Sequence, residues 1–224
     1  MTWVKICGTT NLEDALLAVE AGADALGFVF HDKSPRKVDV ESAREIVAQL
    51  PGNVEKVGVF VEQNAEEIRR TVQTTGLTAV QVVDGTNSAK LFDGLDVNGS
   101  PVGDAKLIMA HCASKLVDGG VFVSERARKS LFAILIDSGS KTVPGGTGQP
   151  FDWEAAHGMV HAISLTIPVI VAGGLNVSNV SEALRLFEPF GVDVASGVEA
   201  KPGKKDPEKV RGFVRAVRQA ERRA

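Results

Sequence analysis

The sequence predicts an α/β protein folded as one (β/α)8 barrel of the TIM type, a single domain over residues 1–224. Three observations predict it. Eight short β-branched runs recur along the chain, amphipathic stretches with polar or Gly-rich turns separate them, and 224 residues fall at the short end of the usual span of such barrels. Strands alternating with helices imply parallel pairing through right-handed crossovers. An open doubly wound sheet is the rival. It is disfavoured because no G-x-G-x-x-G follows the first run and no G-x-x-x-x-G-K-[ST] occurs anywhere.

The strand runs are 3–7, 25–30, 56–61, 79–83, 105–110, 131–137, 168–172 and 192–195. Leu12, Ala15, Leu16 and Val19 share one face of the first helix, with Thr10 and Glu13 expected as its capping box. Further helices are expected within 88–96 and 119–129. The last helix starts at Asp206-Pro207, an N-cap followed by proline at the first helical position. Val210, Phe213, Val214 and Val217 form its apolar stripe. No linker or low-complexity tract divides the chain.

Composition narrows the class. With 44% hydrophobic and 24% charged residues, the chain can bury a full core, which excludes a disordered chain, a collagen-like fibre and a disulfide-framed mini-protein. The two cysteines, Cys7 and Cys112, form no CxxC pair, which argues for a reducing compartment and against a structural zinc site. No signal peptide is expected, and apolar runs such as 167–172 fall far short of the ~20 residues of a membrane span. A net charge of -3 gives no general pull toward nucleic acid. Residues 201–224 carry nine basic against three acidic side chains, read as a solvated helix face rather than a basic arm because the apolar stripe lies on the same segment.

In such barrels the site lies where strands end. The polar residues there are Cys7-Gly8, the 31–37 loop, Asp84-Gly85, His111, Asp137 with the loop through 148, Gly173-Gly174 and Ser196-Gly197. Alternation turns Trp3, Lys5 and Cys7 into the barrel and Val4 and Ile6 outward. Lys5, ~7 Å away along the strand, is expected to bring the Cys7 thiol toward neutrality. Alternation likewise turns Leu131, Ala133, Leu135 and Asp137 inward, and Phe132, Ile134 and Ile136 outward. An aspartate closing so apolar a strand suits a desolvated carboxyl that donates a proton; bonding amides of its own loop is the alternative. The glycine pairs after strands seven and eight suit a phosphate cradled by backbone N–H groups. The loop containing 145–148 is long enough to act as a lid, and Arg36 suits bidentate capture of a carboxylate. His157 and His161 have metal-ligand spacing, but the HExxH glutamate is missing and their helix lies outside the barrel, so no metal is expected. Cys112 and His111 are adjacent on a strand and face opposite sides.

Taken together, Lys5-Ile6-Cys7-Gly8, Ser34-Pro35-Arg36, Asp137, the 145–148 glycine loop, Ala172-Gly173-Gly174-Leu175 and Ser196-Gly197-Val198-Glu199 resemble the phosphoribosylanthranilate isomerase family of tryptophan biosynthesis. The likeness keeps the family's motif order from the first strand to Glu199. It implies an Amadori rearrangement of N-(5-phosphoribosyl)anthranilate, an aldose amine, to a 1-deoxyribulose ketose amine. Cys7 would then be the general base at C2 and Asp137 the general acid in ring opening. Arg36 would face the anthranilate, Asp193, Gly146 and Thr147 would contact substrate, and Gly173, Gly174, Ser196 and Gly197 would hold the phosphate. Ring opening yields an iminium that acidifies the neighbouring C–H, so the resemblance implies no metal or organic cofactor. It implies a small phosphosugar as the partner, with no nucleic acid or membrane, in a cytoplasmic monomer or homodimer.

One departure stands out. The family reads Gln-Leu-His-Gly around strand four, and this chain reads Gln81-Val82-Val83-Asp84-Gly85. Val83 replaces the histidine and one residue is added, so the resemblance lends strand four no binding role. Two rival readings remain. The sister barrel of histidine biosynthesis places Asp after strand one and has a phosphate motif in each half; here Cys7 stands there and the first half has no such motif. A non-catalytic phosphosugar-binding barrel would keep its ligand after loss of Cys7 and Asp137.

Overall fold

A computed structural model describes residues 1–83, 102–114, 125–138 and 152–222. Eight parallel strands close into a barrel in chain order: β1 (Trp3–Cys7), β2 (Ala25–Val29), β3 (Glu55–Phe60), β4 (Ala79–Val83), β5 (Lys106–Cys112), β6 (Leu131–Asp137), β7 (Val169–Val171) and β8 (Gly191–Val194). β8 pairs back onto β1, with Lys5 opposite Asp193. The helices are α1 (Leu12–Ala21), α2 (Val40–Val47), α3 (Ala65–Thr75), α4 (Glu125–Ser130), α5 (Trp153–Ser164), α6 (Val180–Phe187) and α7 (Pro207–Glu221). After β8 come a 3-10 turn, Ser196–Val198, and a small hairpin of β9 (Glu199–Lys201) and β10 (Lys204–Lys205). The helix expected within 88–96 lies outside the described residues; that expected within 119–129 is represented by α4.

Strand alternation sorts the side chains into two cores. Val4, Ile6, Leu26, Phe28, Val80, Val82, Ile134 and Ile136 face outward and pack against the helices. Ala25, Val57, Ala79, Ile108, Ala133, Leu135 and Ile170 fill the lumen. Strand register stacks the inward side chains in layers of four, contributed by alternate strands. Lys5, Val57, Ile108 and Ile170 form one layer, and Gly27, Gln81, Leu135 and Asp193 form the next. Cys7, Val59, Ala110 and Ala172 lie above these, and Val29, Val83, Asp137 and Ala195 line the mouth. At the opposite end Trp3, Phe132 and Phe190 cluster with ring centroids 5.6–6.2 Å apart, Phe190 stacked on Trp3 and Phe132 edge-on to both.

Three local expectations need correction. α1 is capped by Asn11, whose Oδ1 accepts the Asp14 N–H at 2.9 Å. Thr10 is unavailable as a cap because its hydroxyl donates to the Gly203 carbonyl at 2.6 Å. Leu16 is 44% exposed, so the buried stripe of α1 runs through Ala15 and Ala18 instead. On β6 the register against β5 slips between Leu107 and Ile108, inserting one residue. That bulge flips the parity at the strand's start: Leu131 packs with the outer core and Phe132 with the inner one. Alternation beyond the slip holds through Asp137.

α7 fulfils its expected design. Asp206 Oδ1 accepts the Glu208 and Lys209 N–H groups at 3.0 and 3.1 Å, Pro207 opens the helix, and Val210, Phe213, Val214 and Val217 are buried. α7 packs on both α1 and α6, closing the ring of helices where the chain ends meet.

Candidate active site

The mouth of the barrel is built around Cys7. The thiol is 7% exposed and points inward from the end of β1. Gly27, paired with Cys7 across β1 and β2, makes room for it: a Cβ at 27 would lie 2.6 Å from Sγ. Gly8 follows with φ +80, and a Cβ there would sit 2.6 Å from Arg36 Cδ. The glycine of the KICG motif therefore lets the Arg36 side chain lie across the backbone beside Cys7.

Two buried ammonium groups flank the thiol. Below it, Lys5 Nζ donates to Asp193 Oδ1 at 2.9 Å, and Lys5 is fully buried. Burial works against the Lys5 charge, but the Asp193 carboxylate and the Cys7 sulfur carry its pKa above the ordinary lysine value. Beside Cys7, Lys205 Nζ donates to the Cys7 carbonyl at 2.5 Å and to Glu199 Oε1 at 3.1 Å. For the thiol itself burial is the largest influence and pushes its pKa up. Lys5 pulls it down, Asp193 pushes it up and Lys205 pulls it down, and the net direction is upward. The expectation that Lys5 alone would bring Cys7 toward neutrality is thus corrected: the lysine acts in that direction, and desolvation outweighs it.

Arg36 does form a bidentate pair, with a carboxylate of the chain itself. Its Nε and Nη2 donate to Glu199 Oε1 and Oε2 at 2.9 and 2.8 Å. Glu199 is 6% exposed and also accepts the Gly203 N–H at 3.3 Å. Burial would raise the Glu199 pKa, but Arg36 and Lys205 together hold it below the usual carboxylate range. Lys209 Nζ donates to the Glu199 carbonyl at 2.8 Å, fixing the hairpin from α7. One hairpin thus holds both the Cys7 backbone and the Arg36 fork. Composition gave no hint of this, since Lys205 lies in the basic segment read as a solvated face, whereas the structure buries it to 2% exposure. Its signal in the sequence was proximity to Glu199, six residues earlier, across a Pro-Gly turn.

Breaking a buried pair by removing one partner costs about 3–5 kcal/mol. Arg36 still neutralises Glu199, so Lys205→Met is expected at the lower end, about 3 kcal/mol. Urea unfolding of the two proteins measures it, and a loss of under ~1 kcal/mol would mean that the pair is no stronger than a surface one.

Asp137 ends β6, inward and partly buried, with its Cα paired to that of Cys112 on β5. Cys112 is therefore on the lumen side, while His111 pairs with Ile136 of the outer core. The 145–148 glycine loop, with Gly146 and Thr147, lies outside the described residues, as does Asp84-Gly85.

The two glycine loops after β7 and β8 touch. Gly173 and Gly174 have φ +83 and +68, and a Cβ on Gly173 would meet Ser138 N at 2.2 Å. A Cβ on Gly197 would meet Leu175 O at 1.9 Å. Close packing thus demands glycine at 173, against the residue that follows β6, and at 197, against the loop after β7. It also leaves the N–H groups of Gly173, Gly174, Ser196 and Gly197 with no backbone or side-chain acceptor among the described residues. Asn179 Nδ2 fixes the Gly174 carbonyl at 3.0 Å, so the amide cluster is held rigid. His157 and His161 stack on α5 with ring centroids 6.4 Å apart, away from this mouth.

Comparison with known proteins decides the family. The profile described as "N-(5'phosphoribosyl)anthranilate (PRA) isomerase" matches residues 4–216. The chain belongs to this family. An N-(5'-phosphoribosyl)anthranilate isomerase of Citrifermentans bemidjiense is 42% identical over 216 residues, 96% of each chain. A solved structure of the Thermotoga maritima family member, a monomeric form generated from a dimeric enzyme, shares 34% identity at TM-score 0.76, covering 98% of this chain and 100% of that one. Another solved family structure, at 34% identity, TM-score 0.75 and the same coverage, is a complex with reduced 1-(o-carboxyphenylamino)-1-deoxyribulose 5-phosphate. As a family member the chain is an enzyme, an isomerase of tryptophan biosynthesis.

Proposed function

We propose that the 224 residues act as one catalytic domain that converts N-(5-phosphoribosyl)anthranilate to 1-(2-carboxyphenylamino)-1-deoxyribulose 5-phosphate, with Cys7 as base and Asp137 as acid. The observation that carries this reading is a buried thiol at the barrel mouth, flanked by two buried ammonium groups and by a pre-oriented arginine. Asp137 gives its proton to the furanose ring oxygen as the C1–O bond breaks, leaving an N-aryl iminium. The Cys7 thiolate then takes the C2 proton, and the C–H electrons move to C1 while the C=N π pair returns to nitrogen. Tautomerisation of the resulting enol, with a proton lost from O2 and one gained at C1, completes the ketose. The burial that keeps Cys7 protonated in the free protein also makes the thiolate a strong base once the iminium cation lies beside it.

Glu199 occupies the Nε edge of Arg36, so Nη1 is the edge left for the aryl carboxylate. The amides of Gly173, Gly174, Ser196 and Gly197 suit the phosphate, as backbone nests do. Asp193 engages Lys5 through Oδ1, and its second oxygen serves a substrate hydroxyl. Arg36→Ala is expected to raise KM at least tenfold with a smaller change in kcat, the pattern of lost uniform binding. Steady-state kinetics over a wide substrate range reads this, and an unchanged KM would remove Arg36 from the binding site.

The mechanism needs Cys7 reduced, and a reducing cytoplasm is the compartment that suits it. No helix among the described residues is long and apolar enough to cross a membrane. We place the assembly as a monomer or homodimer, which sedimentation at enzyme-assay concentration decides. The test of the substrate is a comparison of freshly made N-(5-phosphoribosyl)anthranilate with the phosphoribosyl-amine aldose of histidine biosynthesis. Conversion of the first alone supports this function. Conversion of the second alone transfers the chain to the sister reaction, and binding without turnover makes it a phosphosugar-binding barrel.

A further inference from the structure

Gln81 stands apart from the other inward polar groups. It faces the lumen from β4, between register partners Val59 and Ile108, and is 6% exposed. Its Oε1 is buried and accepts no hydrogen bond among the described residues. The charged groups of the site already have partners of their own: Lys5 holds Asp193, and Arg36 holds Glu199. A buried amide acceptor left without a partner opposes folding, and an apolar side chain of the same size would fill this layer without that cost.

We infer that Gln81 positions the substrate by hydrogen bonding a hydroxyl of its pentose chain; this inference rests on the function proposed above. β4 and β8 lie four strands apart in a closed eight-stranded barrel, so Gln81 faces Asp193 across the axis. Both belong to the layer directly beneath Cys7. Ala110 and Ala172 in the Cys7 layer are small, so little side-chain bulk separates the amide from the mouth on those strands. An uncharged amide is matched to a hydroxyl. The carboxylate and phosphate of the substrate have their own cationic and backbone-amide partners, after β2 and after β7 and β8. The pentose spans the distance between those two anchors and so passes over the floor that Gln81 supplies.

The test uses reduced 1-(o-carboxyphenylamino)-1-deoxyribulose 5-phosphate and its 2-, 3- and 4-deoxy counterparts as calorimetric probes of wild type, Gln81→Leu and the isosteric Gln81→Met. The expected result has three parts. Both variants melt at or above the wild-type temperature in the absence of ligand, because an unsatisfied group has been removed. Both bind the fully hydroxylated probe about 10- to 100-fold more weakly. One deoxy probe, weaker than its parent on wild type by a similar factor, binds the variants as well as the parent does. Equal loss for every probe, with wild-type discrimination intact in the variants, overturns the inference and makes Gln81 structural. Unchanged affinity for the parent probe also overturns it. Failure of wild type to bind the parent probe at all overturns it too, and locates the fault in the proposed function rather than in Gln81.

Discussion

Cys7→Ala is expected to lower kcat by about 10²–10⁴-fold, the contribution of a positioned general base, while the reduced product analogue binds nearly as well as to wild type. The asymmetry follows from the geometry. The thiol contributes little contact area, and the anchors for the carboxylate and phosphate belong to other loops. Cys7→Ser is not expected to rescue, because a hydroxyl ionises far less readily than a thiol. The pH dependence carries the same signature. Burial raises the Cys7 pKa above the ordinary thiol value of 9.0, so the thiolate fraction of the free enzyme and its kcat/KM rise together with pH through the neutral and mildly alkaline range. Stability runs the other way. The folded protein keeps a proton that the unfolded chain releases, so this group's contribution is whole below the unfolded thiol pKa and falls as pH rises beyond it. The alkaline rise in rate should vanish in Cys7→Ala, as should that part of the stability loss. A variant with full activity would remove Cys7 from the reaction.

Asp137→Asn is expected to produce a loss of similar size by a different route. The amide keeps the shape of the carboxyl at the end of β6 but cannot deliver a proton to the ring oxygen, so ring opening slows by about 10²–10⁴-fold. Binding of the open-chain reduced analogue, which has no ring to open, should be preserved. The contrast is measurable in one set of single-turnover experiments, with loss of the cyclic substrate in the variant compared with its affinity for the open-chain analogue. Equal loss of both would assign Asp137 to binding.

The barrel was legible in the sequence because its signal is repeated eight times, and period-two alternation correctly turned Lys5, Cys7 and Asp137 inward. It misplaced Leu131 and Phe132 because a one-residue register slip is a property of two strands together, invisible in either alone. The Thr10 cap failed for a related reason: the hydroxyl is claimed by Gly203, 193 residues away. At the site, sequence placed Cys7 and Asp137 at inward strand ends and missed what surrounds them. The Glu199–Lys205 hairpin that links Arg36 to the Cys7 carbonyl depends on contacts spanning the whole chain. The direction of the Cys7 pKa was misjudged because a lysine two residues away is visible in sequence, and the desolvation that outweighs it is not. Glycine was read as freedom for a bound anion. At Gly197 it is also an absence of Cβ that lets the loops after β7 and β8 meet, and at Gly173 one that admits Ser138.

The most direct test of the central claim is turnover of freshly made N-(5-phosphoribosyl)anthranilate by wild type, Cys7→Ala and Asp137→Asn side by side, with a chelator present and affinity for the reduced analogue measured on the same samples. Rapid conversion by wild type is expected, with both variants retaining the analogue and losing nearly all conversion. Substantial turnover by either variant, or a wild type that holds the analogue and never converts the substrate, would contradict it.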